Sequence, residues 1–145
     1  MSFDIVIQDM DNHVSLDDWH EARDAAFKMN GVHRGADRVT LVLPNGDEVE
    51  CHDAGNKVGG MLSLRARSLP IAKLVYDLIS QSGLFLLAMT EIPRAVRADC
   101  NNRPRFSVPD IEELSMRSSD ELFAYLEGGY AAWEQFKGRC LAEAR

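Results

Sequence analysis

The sequence predicts an α+β fold, on three observations. An Asn-Gly pair between two β-rich runs predicts an antiparallel hairpin over 38–51, with both turn residues at positive φ. Apolar stripes at helical spacing, most of them preceded by capping residues, predict helices over about 15–30, 70–82 and 110–137. The length of 145 residues suits one domain, so we expect a single domain over 1–145, with helices packed on an antiparallel sheet.

The chain begins with a predicted strand and a predicted helix. Residues 3–8 are rich in β-branched side chains and partly alternate, which is typical of a strand. Ser15 and Asp18 resemble a capping box, so the first helix begins there, and Gly31 supplies its stop. The apolar stripe that we expect to face the core consists of Leu16, Trp19, Ala22, Ala26 and Met29.

After the hairpin, the pattern predicts further strands and helices. Residues 61–67 alternate between polar and apolar side chains, which predicts a strand with one face in solvent. Pro70 suits the first turn of the next helix, where its missing N–H is harmless. Residues 84–89 are apolar on both faces, which predicts a buried central strand. The remaining predicted elements are a short strand at 95–98, a short helix at 110–116 and a long helix over 119–137.

The net charge of −7 is concentrated at the two ends of the chain. Residues 1–30 carry −5 and residues 108–145 carry −4, whereas residues 31–107 carry +2. An acidic surface repels nucleic acid and membrane headgroups and attracts basic partners. We therefore expect no nucleic-acid partner and no membrane partner.

Cysteine usage and the N-terminal residues indicate the compartment. The three cysteines are odd in number and lack a CxxC spacing, which is typical of a reduced chain. The first residues show no basic segment before an apolar stretch, so we see no secretory signal. We therefore expect a cytoplasmic protein.

The acidic stretch 9–20 resembles a calcium loop in its alternating oxygen-bearing side chains. Val14 occupies the position at which the loop needs Gly for its sharp turn, and His20 stands where a bidentate Glu belongs. His13 and His20 are also too far apart for ligands on one helical turn. We therefore predict no metal site.

Two further segments contain residues of catalytic or cofactor-binding types. Cys51, His52 and Asp53 have the side chains of a cysteine nucleophile with its base, but neighbouring strand residues point to opposite faces. The glycine-rich stretch 55–60 lacks the spacing of a phosphate loop or a dinucleotide loop. We therefore predict no catalytic residues and no cofactor.

An arginine-rich segment leaves two interpretations open. The four bases between Arg94 and Arg105 are accompanied by one acid, so the segment carries a local charge of +3. The arginines either pair with acids of the terminal helices inside the protein or bind an anion such as phosphate. The four bases are Arg94, Arg97, Arg103 and Arg105.

Two segments of the last quarter of the chain are typical of a known class of binding protein. They are Pro-Asp-Ile-Glu-Glu-Leu at 109–114 and the aromatic, acidic run at 121–133. In a small acidic chain they resemble the immunity proteins of bacterial polymorphic toxin systems, such as those of contact-dependent or type VI effectors. The resemblance implies a cytoplasmic protein that neutralises a cognate toxin with a basic surface by tight, stoichiometric binding. The toxin's active site would be blocked sterically and electrostatically.

The charge distribution indicates which surface would bind such a partner. Negative charge is densest at the N-terminal loop and the start of the first helix, where it is well placed to attract a basic surface. The expected partner-binding residues are Asp9, Asp11, Asp17, Asp18 and Glu21. A rival surface consists of Asp110, Glu112 and Glu113. Two other functions stay open: a small enzyme with a Cys/His or arginine-lined cleft, and a homodimeric adaptor joined through its aromatic C-terminal helix.

Overall fold

The computed structural model describes residues 3–9, 14–88, 94–98 and 112–127, and it confirms the α+β class. These residues form an eight-stranded sheet and three helical segments. The strands are β1 (Phe3–Gln8), β2 (His33–Arg34), β3 (Thr40–Val42), β4 (Glu48–Asp53), β5 (Gly60–Leu64), β6 (Phe85–Ala88), β7 (Arg94–Ala98) and β8 (Glu112–Met116). The helices are α1 (Leu16–Met29), α2 (Leu69–Ser82) and α3 (119–127).

The first strand lies in the middle of the sheet. The strand order is β2-β3-β4-β5-β1-β6-β7-β8, and all neighbouring strands are antiparallel except β7 and β8. Ile5 of β1 is opposite Leu62 of β5 on one side and Ala88 of β6 on the other. Because β1 pairs with two strands that follow it by more than fifty residues, the centre of the sheet is built from non-local contacts.

The core lies between one face of the sheet and the helices. Ile5 and Ile7 of β1, on alternate positions of the strand, are both buried on that face. Trp19 of α1 and Leu78 of α2 pack into the same cluster, and α1 also contacts α2. Leu122 of α3 is fully buried in this cluster as well. No described helix is long and apolar enough to cross a membrane.

The first two predicted helices are confirmed, and α1 is capped as the sequence indicates. The Ser15 Oγ accepts a hydrogen bond from the Asp18 backbone N–H at 3.1 Å, which satisfies one open donor of α1. Ser68 caps α2 in the same way, and Pro70 lies in its first turn. Gly83 ends α2 in the left-handed conformation, with φ of 72°.

The predicted hairpin is confirmed, but its turn differs from the expected one. Leu41 of β3 is opposite Val49 of β4, so the pairing agrees with the prediction. The loop has three residues between Leu43 and Asp47, whose backbone groups are bonded at 2.9 Å. Gly46 has a φ of 91°, whereas Asn45 is not at positive φ, so the expectation for both turn residues is wrong for Asn45. A single glycine at positive φ suffices in a three-residue hairpin loop.

The predicted helix at 110–116 is wrong for residues 112–116, which form strand β8. Leu114 and Met116 alternate into the core, and β8 pairs in parallel with β7. This tertiary pairing overrides the helical propensity of the Glu-Glu-Leu segment. The predicted long helix is described as α3 over 119–127, and its continuation to 137 lies outside the described residues.

The other predicted strands are confirmed with small changes of boundary. The apolar run at 84–89 contributes β6, which lies between β1 and β7 in the interior of the sheet. The short strand predicted at 95–98 is β7. The pattern at 61–67 contributes β5, on which Leu62 and Leu64 are buried and Met61 is exposed. The two-residue strand β2 was not predicted, since two residues carry no periodic signal.

Candidate functional site

The exposed side of α1 carries a continuous set of carboxylates. Its members, which we call the acidic face of α1, are Asp17, Asp18, Glu21 and Asp24, and all four are exposed. Spacings of three and four residues place side chains on the same side of a helix. Trp19 and Ala26, on the opposite side, are buried in the core, so the helix is held rigidly with its acids in solvent.

One arginine lies among these acids and is already engaged. The Arg23 Nε contacts the Asp24 Oδ1 at 3.1 Å, and the Arg23 Nη1 contacts the Asp53 Oδ1 of β4 at 3.1 Å. Within the described ranges, Asp17, Asp18 and Glu21 form no ion pair. The first two turns of α1 therefore present three carboxylates that pair with no base of the described residues. They also lie at the positive end of the helix dipole, where negative charge is favourable.

The five predicted partner-binding residues do not all lie on this face. Asp17, Asp18 and Glu21 are exposed on α1 as expected. Asp9 is half-buried, and its Oδ2 accepts a hydrogen bond from the Val14 backbone N–H at 2.8 Å. Asp9 therefore has a local structural contact, and Asp11 lies outside the described residues. Asp24 was not among the predicted residues, although its spacing from Glu21 on one helix side was visible in the sequence.

Two acids of the rival surface, Glu112 and Glu113, form ion pairs with arginines of the same chain. Arg94 contacts Glu112 at 3.2 Å, and Arg97 contacts Glu113 at 3.2 Å, both across the parallel β7–β8 pair. Two of the four arginines thus meet internal acids, as one interpretation of the segment held, but the acids are on a strand and not on a helix. Asp110, Arg103 and Arg105 lie outside the described residues.

The Cys51-His52-Asp53 triplet is not assembled into a nucleophilic site. Cys51 is buried in the core, and burial, followed by the nearby Asp53 carboxylate, raises the pKa of its thiol to about 11. The thiol is therefore protonated at neutral pH, whereas a nucleophilic cysteine requires the thiolate. His52 is exposed at the next position of β4, and Asp53 is bonded to Arg23.

Metal-binding side chains are not clustered in the described part of the chain. There, no three His, Cys, Asp or Glu side chains come together in a group that could hold a metal ion. Asp11 and His13, which belong to the stretch compared with a calcium loop, lie outside the described residues.

A surface groove that the sequence did not indicate lies at the other end of α1. This apolar groove has a volume of about 550 Å³ and opens between the end of α1, the β3–β4 loop and the start of α2. Met29 and Leu69 on its wall are 54% and 45% exposed. Its other lining residues include Gly31, Pro44, Pro70 and Lys73.

The exposure of Met29 is a correction to the predicted stripe of α1. Trp19, Ala22 and Ala26 of that stripe are buried, and Leu16 packs partly against the core. Met29 lies in the last turn, where it lines the groove together with the β3–β4 loop and the start of α2. Helical periodicity identifies a side of a helix and does not show where along the helix the core ends.

Comparison with protein families, with curated proteins and with solved structures finds no match to this chain.

Proposed function

We propose that this chain is a binding protein that works as immunity proteins do. It holds a basic toxin or effector against the acidic face of α1 and thereby blocks the partner's active site. The observation that carries the proposal is the set of exposed carboxylates at Asp17, Asp18 and Glu21, which have no ion-pairing base in the described ranges. The proposal also assigns the encounter to the cytoplasm and predicts one-to-one stoichiometry.

The arrangement suits rapid capture of a basic protein. The helix that carries these acids is already packed on the core before the partner arrives, so little backbone order is lost on binding. Complementary charge at the edge of an interface raises the association rate, and this effect weakens as salt screens it. A toxin active site that binds nucleic acid or phosphate is lined with Lys and Arg, which are the side chains that this face attracts.

The test uses the proteins encoded by the two genes that flank the gene for this chain, each purified in a catalytically inactivated form. Complex formation is measured by gel filtration, and association rates are measured at about 20 mM and 300 mM salt. We expect one of the two proteins to form a one-to-one complex and to lose its toxicity when the chain is co-expressed. If neither forms a complex, the immunity proposal is wrong.

The binding surface is then tested with two triple variants that change the net charge equally. The first is Asp17→Asn, Asp18→Asn and Glu21→Gln on the acidic face. The control is Glu48→Gln, Asp120→Asn and Glu127→Gln, at acids that are exposed elsewhere. We expect the first variant to slow association about tenfold at low salt and much less at high salt. Equal slowing by both variants would show that net charge alone acts, and that the acidic face of α1 is not the site.

A further inference from the structure

We infer that the apolar groove belongs to the same interface as the acidic face of α1. It binds one apolar side chain of the partner, and basic residues of the partner flank that side chain. This inference rests on the proposed function, because the acidic face of α1 is what selects a basic partner. Met29 and Leu69 are two of the three large hydrophobic side chains that are exposed among the described residues, and both line this groove. Exposed apolar surface gathered at one concave place is typical of an interaction site.

The distance between the two features fits one interface. Eleven residues separate Asp18 from Met29, which is about three turns, so the two residues lie on nearly the same side of α1 and about 16.5 Å apart along its axis. A standard interface buries about 800 Å² on each partner, which is a patch roughly 30 Å across. A patch of this size spans both Asp18 and Met29. Interfaces of this size combine an apolar centre with a charged rim, and the groove and the acidic face supply these two parts.

The charges beside the groove are compatible with a basic partner. Lys73, on the groove wall, contacts Asp77 at 3.1 Å and Asn30 at 3.4 Å, so a carboxylate of the same protein offsets its charge. Lys28 is exposed and adds a positive charge to the last turn of α1. The partner's basic residues therefore fall toward Asp18 and Glu21 in the first turns of α1, and its apolar residue falls beside Met29.

The side chains of the groove also suit an anchor residue. Methionine is flexible and polarisable, so Met29 adjusts its shape to the inserted group. Leu69 precedes Pro70 in the first turn of α2, where proline restricts the backbone and keeps the opposite wall in place. A preformed pocket with one adaptable wall accepts a Leu-, Ile- or Met-sized group without rearrangement of the fold.

The experiment uses three synthetic pentapeptides as probes and methyl NMR spectra of the whole chain as the readout. The peptides are Lys-Lys-Leu-Lys-Lys, Lys-Lys-Gly-Lys-Lys and Glu-Glu-Leu-Glu-Glu, each titrated to about 10 mM. We expect the basic leucine peptide to shift the methyl signals of Met29 and Leu69 at least threefold more than either other peptide does. Met61, which is 36% exposed elsewhere on the sheet, is the internal control and should not respond.

The outcomes separate this inference from the proposed function. If both basic peptides shift the amides of Asp17 to Asp24 equally, but the Met29 and Leu69 methyls respond no more to leucine than to glycine, the groove is not an anchor. If neither basic peptide shifts those amides, the electrostatic basis of the proposed function fails. A Leu69→Ala variant, which removes an exposed side chain and should fold normally, is expected to reduce the leucine-specific shift of Met29 by more than half.

Discussion

Gly59 lies directly against the backbone carbonyl of Ile7, so that a Cβ at position 59 would overlap the carbonyl oxygen. Gly59 also has a φ of 95°, a conformation that residues with a Cβ rarely adopt. The glycine-rich stretch before β5 is therefore explained by the close approach of the β4–β5 connection to the central strand. It is a structural feature of the sheet and needs no bound phosphate to account for it.

Replacing Gly59 by Ala should destabilise the protein strongly. The added methyl group forces β5 away from β1 in the middle of the sheet, in addition to the cost of positive φ. We expect a loss of about 2–4 kcal/mol in the free energy of unfolding, measured by urea denaturation. Gly46→Ala is the matched control, since its φ of 91° is similar but nothing lies within 4 Å of its added Cβ. It should cost about 1 kcal/mol. Equal losses would show that only the backbone angle matters.

The ion pairs between β7 and β8 should differ in their contribution to stability. Arg97 and Glu113 have side chains that are only 9% and 15% exposed, whereas the Glu112 that pairs with Arg94 is 47% exposed. We expect Glu113→Gln to cost about 2–3 kcal/mol, because it removes a negative charge beside a nearly buried guanidinium. Glu112→Gln should cost less than about 1 kcal/mol. Thermal or urea unfolding of the two variants checks this order, and a reversed order would contradict the assigned pairing.

The buried Cys51 thiol should make stability depend on pH in the alkaline range. Its pKa is about 11 in the folded protein against 9.0 for an ordinary thiol. Between these values the unfolded chain has released the Cys51 proton and the folded chain has kept it, so the free energy of unfolding falls as pH rises. The slope from this group is at most about 1.4 kcal/mol per pH unit. We expect the Cys51→Ala variant to lose this part of the pH dependence of the unfolding free energy between pH 9 and 11. At neutral pH the variant should be less stable, because the substitution leaves a cavity in the core. Unchanged slopes would show that the thiol is accessible.

The local elements of the fold were predictable from the sequence because their signals are local. Ser15, Gly31 and Pro70 act within a single turn of backbone, so the ends of α1 and the start of α2 could be placed within a residue or two. The signal for the hairpin around Gly46 is similarly local, although the type of its turn was not predicted correctly.

The features that were not predicted depend on contacts between distant parts of the chain. Residues 112–116 become a strand because β7 offers them a parallel edge, which nothing in their own sequence shows. The exposure of Met29 depends on where the β3–β4 loop and the start of α2 lie relative to α1. The binding residues on α1 were predictable in part, because the helix period places Asp17 and Glu21 on one side. The contact of Asp9 with the Val14 backbone could not be predicted from that period.

Removing Arg23 should speed the capture of a basic partner. Arg23 is the base that bridges Asp24 and Asp53 beside the acidic face of α1, so its replacement by Gln frees two carboxylates and makes the surface one charge more negative. We expect Arg23→Gln to raise the association rate two- to fivefold at about 20 mM salt, with little change at 300 mM.

Arg65→Gln is a closely matched control for this prediction, because Arg65 also bridges two carboxylates, Glu48 and Glu50, but on the other face of the sheet. It changes the net charge of the protein equally and should leave the association rate nearly unchanged. Association rates are measured by stopped-flow fluorescence against the flanking-gene product. In its absence, the binding constant of a Lys-Lys-Gly-Lys-Lys peptide is measured by NMR titration. If Arg65→Gln accelerates or strengthens binding as much as Arg23→Gln does, the partner responds to overall charge, and the acidic face of α1 has no special place in recognition.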